Sequence, residues 1–257
     1  MENYKKYSTA LAFLAFALAA RADINLVQNG GFEQTTCADP SAPNCLTGQF
    51  SVTGGAPAVT SVANWSTTGY NFVFASGAGD TTGSYTNQFT AAVSLWGPNN
   101  GVNNGLTAAS PAGGNYIAMD SDFEVGPVTQ TINDLVVGQK YTLSFYWAGA
   151  QQFTFRGATT DQITASLGGE SHSTGVYSNP DQGFSGWMLQ TFNYTATSTS
   201  ETLSFLASGA PQLPPFALLD GVSLTATPEP GYWIPGVALL VLMAGLGIVR
   251  SKKLAKS

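Results

Sequence analysis

The 257 residues contain one histidine, two cysteines and nine lysines and arginines, and each shortage closes off a class of chemistry. A zinc centre draws its ligands mainly from His and Cys, and this chain holds too few of them. Nucleic-acid binding needs clustered cations against phosphate, yet only 9% of the residues carry any charge. Disorder is no better served, because 44% hydrophobic and 12% aromatic residues are the composition of a packed chain. Sustained helical periodicity is missing between residues 23 and 226, so helix is a minor component there.

The few cations are also unevenly placed. Seven of the nine lie within the first 21 or the last eight residues, leaving Lys140 and Arg156 against thirteen acids in between, a net −11. The ends and the middle are therefore different kinds of segment.

At the start, Lys5-Lys6 precedes the apolar run 10–20, which ends in Ala20-Arg21-Ala22. A basic flank, a short apolar run and a small-x-small site describe a secretory signal peptide, residues 1–22, with cleavage between Ala22 and Asp23. The run is too short to span a bilayer, since eleven residues of helix cover roughly 16 Å. At the far end Tyr232-Trp233 open an apolar stretch to residue 249, followed by Arg250, Lys252 and Lys253. That stretch is expected to form a transmembrane helix, with the basic tail 250–257 cytoplasmic and the middle of the chain exported.

Pro228-Glu229-Pro230, one hydrophobic helix and a terminal Arg-Lys cluster together resemble the PEP-CTERM sorting signal of Gram-negative bacteria that make extracellular polysaccharide. The resemblance covers residues 227–257 and implies an inner-membrane precursor handled by signal peptidase and then by an exosortase. The exosortase would pass the chain to the cell surface or a biofilm matrix.

The middle, residues 23–226, reads as one antiparallel β-sandwich. In Lys140–Ala148, KYTLSFYWA, Tyr141, Leu143, Phe145 and Trp147 share one face and Thr142, Ser144 and Tyr146 the other. Further strands are expected at 24–28, 70–75, 88–96, 115–119, 127–133, 161–167, 187–196, 201–207 and 216–225. Residues 76–87 and 97–114 are turn-forming and are expected to be long mobile loops. The opening NLVQNGGFE, residues 25–33, and the closing PPFALLDGVSL, residues 214–224, resemble the galactose-binding-like jelly roll of many carbohydrate-binding modules. Gly221 stands where that pattern often has a second Asp.

The resemblance implies a structural Ca²⁺ where the first and last strands meet, with Glu33 and Asp220 as its side-chain ligands. Asp120, Asp122 and Glu124 read as a solvated acidic loop, because Gly126 is out of step with an EF-hand loop. Cys37 and Cys45, an even pair enclosing a polar loop in an exported chain, are expected to form a disulfide. His172, between Ser171 and Ser173, reads as a lone surface residue. No catalytic residue is assigned, since no G-x-S-x-G elbow occurs and no pair of acids stands out as a glycosidase couple.

For binding, an aromatic ring stacks on the apolar face of a sugar while hydroxyls need polar partners. Trp96 beside its Gly-Pro-Asn-Asn loop, Tyr146 on the polar face of its strand, and Arg156 in Gln151–Arg156 are the candidate ligand contacts. Trp65, Trp147 and Trp187 are expected in the core. The expectation is thus a non-catalytic surface protein that binds exopolysaccharide. A structural or adhesive matrix component is the alternative, and a hydrolase or an ice-binding protein ranks below both.

Overall fold

The structure, a computed structural model, describes residues 24–40, 45–50, 59–81 and 93–228. The signal segment with Ala20 and Ala22, and the sorting segment from Glu229 through Pro230 to Arg250, lie outside the described residues, while Pro228 is exposed at their end. Among the described residues no helix is long and apolar enough to cross a membrane.

Nearly all regular structure is antiparallel β. Strands β1 (Thr35–Cys37) and β2 (Thr60–Val62) pair only with each other. Strands β3 (Ser66–Thr67), β6 (Val128–Ile132), β12 (Glu201–Ala210), β8 (Thr159–Leu167) and β10 (Tyr177–Asn179) form one sheet in that spatial order, with β9 (Glu170–Ser173) also on β8. The other sheet runs β4 (Asn71–Phe74), β5 (Tyr116–Asp120), β13 (Pro215–Ala226), β7 (Lys140–Gln151) and β11 (Met188–Thr195). Residues 24–28 do not form the expected strand. They run alongside β13 instead, where Leu26 N–H donates to Leu224 O and Asn25 Oδ1 accepts from Leu224 N–H. Of the expected strand 88–96 the described part makes only a bridge between Leu95 and Gln152.

The alternation of β7 holds. Tyr141, Leu143, Phe145 and Trp147 are buried between the sheets with Phe205, Leu203 and Ile163 from the opposite side. A second core lies on the outer face of the five-stranded sheet, at one end only. There Phe72, Phe74, Tyr116, Ala118, Ala148, Ala150, Phe216 and Leu218 are covered by Val93, Leu95 and Leu106. This explains why β5 and the first half of β13 are apolar on both faces.

The turn-rich stretch 97–114 is not the free loop its composition suggests. Its asparagines each carry a donor pair and an acceptor, and they fasten it. Asn100 Nδ2 donates to Leu95 O at 2.6 Å, while Asn104 Nδ2 donates to Trp96 O at 2.9 Å and to Gln182 O at 2.8 Å. Asn99 N–H and side chain both donate to Asp80. The stretch therefore stands as a fixed wall across the sheet. Cys37 and Cys45 are disulfide-bonded, with Cα atoms 4.8 Å apart.

Candidate functional site

Beyond the wall, the outer face of the five-stranded sheet is open. Strand register places its side chains in rows across β11, β7 and β13. Leu189, Tyr146 and Asp220 form the first; Thr191, Ser144 and Ser223 the second; Asn193, Thr142 and Thr225 the third. Asp220 is sealed off from solvent, but Leu189 is 62% exposed and Tyr146 half-buried. The result is a terrace with one aromatic ring at the foot of the wall and hydroxyl and amide groups in front of it. Thr142 Oγ1 already donates to Asn193 Oδ1 at 3.0 Å. No charged side chain stands in the second and third rows.

A β-bulge makes this possible. Between Asp220 and Ser223 the β13–β7 register shifts by the extra residue Gly221, whose φ is +60°. Such a bulge resets the side-chain alternation. Leu219, Val222 and Leu224 all face the core, while Asp220 and Ser223 both face outward.

Trp187 joins the core only in part: it packs against the second cluster but is half-buried, edge-on to Tyr116 at 5.5 Å, with its Nε1–H donating to Thr107 Oγ1 at 3.1 Å. It lies just before β11, two residues ahead of Leu189, and its bond to Thr107 ties the entry of that strand to the wall. Trp65 and Trp147 are buried as expected.

Trp96 and Arg156 come together on a different surface from Tyr146. Arg156 Cζ lies 5.8 Å from the centroid of the Trp96 ring, and Phe153 meets that ring edge-on at 4.6 Å. The indole N–H is spent on Phe155 O at 2.7 Å. Arg156 is held by Asp181, with Nη2–Oδ2 at 3.0 Å. The bonds from Arg156 and the Gly157 N–H in turn keep the Asp181 carboxyl below the ordinary carboxylate range. These two candidate ligand contacts are thus partners of each other, and the ring face under Arg156 is occupied.

Glu33 and Asp220 are brought together as the resemblance implies. A Cβ on Gly31 would lie 3.9 Å from both Asp220 Oδ1 and Glu33 Oε1. Ser110 Oγ–H donates to Asp220 Oδ2, Gly221 N–H to Asp220 Oδ1 at 2.6 Å, and Asn115 N–H to Glu33 Oε1 at 2.7 Å. Burial pushes the Asp220 carboxyl up to about 7; the bonds from Ser110 and Gly221 oppose this, and the charge of Glu33 adds to it. Each of these carboxylate oxygens keeps a second lone pair, so hard oxygen donors suited to a cation such as Ca²⁺ converge here. Among the described residues no group of three or more His, Cys, Asp or Glu is placed to hold a metal ion.

The acidic run is a solvated loop only in part, since Asp122 and Glu124 lie partly exposed in a bend beyond β5 but Asp120 does not. Asp120 is buried at the end of β5 and accepts N–H bonds from Asp122 and Phe123 at 2.9 Å and from Glu124 at 3.4 Å. His172 is not an isolated surface residue either. On β9 it stacks on Phe192 at 5.4 Å, meets Tyr194 edge-on at 5.1 Å and shares a hydrogen bond with Glu170 at 3.0 Å.

No known protein family and no curated protein matches the chain. Solved structures do, and carbohydrate-binding modules are among them. The chain is similar to a family 61 carbohydrate-binding module in complex with β-1,4-galactotriose, at 15% identity and a TM-score of 0.37 over 80% of this chain and 100% of that one. It is also similar to the CBM22-1 xylan-binding domain of Xyn10C from Paenibacillus barcinonensis, at 11% identity and a TM-score of 0.39 over 82% and 99%. An arabinose-bound GH51 α-L-arabinofuranosidase matches at 15% identity and a TM-score of 0.37, over 79% of this chain and 26% of that one. Likeness this loose carries no function across, and an all-β fold hosts many functions. The case rests on the site.

Proposed function

We propose that this protein is a non-catalytic module binding a neutral polysaccharide on the open terrace of its five-stranded sheet. One observation carries the reading: Tyr146 stands at the foot of a wall, facing rows of Ser, Thr and Asn side chains with no charge among them. A ring for the apolar face of a sugar and uncharged polar groups for its hydroxyls are what such a ligand needs. Affinity electrophoresis of the protein through gels containing neutral and acidic polysaccharides tests it. Retardation in a neutral gel that weakens about tenfold with Tyr146→Ala is expected, and equal mobility in every gel would overturn the reading.

Glu33 and Asp220 would hold a structural Ca²⁺ behind the terrace, where the ion offsets the repulsion of two converging carboxylates. It would fix the bulge from which Tyr146 is positioned. The protein is exported, and its last segment directs exosortase sorting to the surface. The signal-like start and Pro228-Glu229-Pro230 before an apolar run and basic end support this part. Cell fractionation checks it: Glu229→Ala should retain the chain in the inner membrane, and unchanged surface delivery would count against sorting.

A further inference from the structure

Three oxygens at the β8–β10 edge of the sandwich are buried without a hydrogen-bond partner: Asp161 Oδ2, Thr159 Oγ1 and Asn179 Oδ1. Their residues are 0%, 3% and 1% exposed. Thr159 and Asn179 are cross-strand partners, and Asp161, two residues along β8, points to the same inner side. Backbone closes round them. A Cβ on Gly149 would lie 2.9 Å from Asp161 Oδ2, and one on Gly183 would collide with Asn179 Oδ1. Ser185 joins these two walls, accepting from Gly149 N–H at 2.8 Å and donating its own N–H to Gly149 O at 2.9 Å.

The donors nearby are already committed. Ser121 Oγ–H donates to the other Asp161 oxygen at 2.9 Å, and the Asn179 amide donates to Gly183 O at 3.1 Å. Among the described residues no cation reaches the carboxylate. Between residues 23 and 226 the only Lys and Arg are Lys140 and Arg156; the first is exposed and the second is paired with Asp181. A buried acceptor left without a partner bears the full desolvation cost, so the cluster calls for a positive or donating occupant.

We propose that Asp161, Asn179 and Thr159 form a binding site for a hard cation of the calcium class. Carboxylate, amide carbonyl and hydroxyl oxygens are the donors such an ion takes, and backbone carbonyls and water complete its shell. Burial pushes the Asp161 carboxyl well above its ordinary range, opposed by the Ser121 bond and aided by the charge of Asp120. A proton is therefore the ion's natural competitor. The site lies between the sheets, whereas Asp220 is on the outer face of the five-stranded sheet, so the two sites are separate. It would fasten β10 and the segment 180–187, which carries Asp181, Gln182 and Trp187.

Calcium content by mass spectrometry and CaCl₂ titration calorimetry of the chelator-treated protein test this, using wild type, Asp161→Asn and Glu33→Gln. Asp161→Asn is expected to lose one calcium equivalent or to weaken it at least tenfold, while Glu33→Gln keeps that equivalent. Hydrogen exchange gives a reading independent of substitution: amides 177–185 should exchange at least tenfold more slowly with Ca²⁺. The proposal falls if wild type binds no calcium, if Asp161→Asn binds as wild type does, or if calcium leaves exchange at 177–185 unchanged. Should Asp161→Asn not fold, Thr159→Val replaces it, with the same weakening expected and the same overturning result.

Discussion

Gly221 lies against the ring of Tyr146. A Cβ at this position would sit 3.0 Å from Tyr146 Cδ2 and 2.8 Å from Ala112 Cβ, on a backbone with φ of +60°. The ring thus stands where the side chain of the usual Asp would begin, which gives the departure from the familiar closing motif a steric reason. Gly221→Ala combines a left-handed backbone with overpacking and is expected to cost about 2–4 kcal/mol. Urea unfolding measures that cost, and a loss of polysaccharide retardation at temperatures where the variant is folded would accompany it.

The Asp220 carboxyl sets a pH dependence in calcium-free protein. Its folded value of about 7 is above its ordinary 3.8, so the folded state holds the proton more tightly than the unfolded state does. The stabilisation is fully present below about pH 4 and is lost as pH rises through about 7, of order 4 kcal/mol at most. Asp161 is shifted in the same direction. Urea midpoints in EDTA should therefore fall between pH 4 and 7, and Asp220→Asn should flatten part of that fall. Added calcium should raise the midpoint most at the upper end.

Trp96 and Arg156 are expected to matter for stability and little for glycan affinity. Trp96→Ala removes a half-buried ring packed on Phe153, a loss of about 3 kcal/mol. Arg156→Ala opens an exposed pair and should barely move the melting temperature. Neither should change retardation in a neutral polysaccharide gel by more than twofold. A tenfold loss with Trp96→Ala alone would relocate the binding surface.

The Cys37–Cys45 bridge closes a nine-residue loop. Replacing both cysteines with serine should lower stability by roughly 2.5 kcal/mol on the chain-entropy estimate. Denaturant unfolding with and without reductant checks it, since the double variant should be indifferent to reductant.

Long strands were legible in advance because eight to twelve residues display their period, as in β7, β11 and β12. Strands β1, β2, β3, β9 and β10 are two to four residues long, too short to show alternation. The terrace was half legible. Tyr146 could be placed on a polar face, but its neighbours Leu189 and Asp220 are set by cross-strand register, which no local pattern encodes. Asp161 was missed although a signal existed: it shares parity with Ile163, Ala165 and Leu167, all buried. A carboxylate in phase with a core stripe is the mark that sequence reading passed over.

The last strand has a mechanical consequence. β13 is the middle strand of its sheet, with β7 on one side and β5 and the opening segment on the other. At its end Thr227 N–H donates to Lys140 O at 2.8 Å, and Thr227 O accepts from Gln139 Nε2 at 2.9 Å. A chain held by its residues beyond Pro228 would transmit tension along β13 itself. That load would fall on many ladder bonds in shear at once, instead of peeling an edge strand one bond at a time. A domain sorted by its C-terminal end would in this way be tethered through the strand least easily pulled from it.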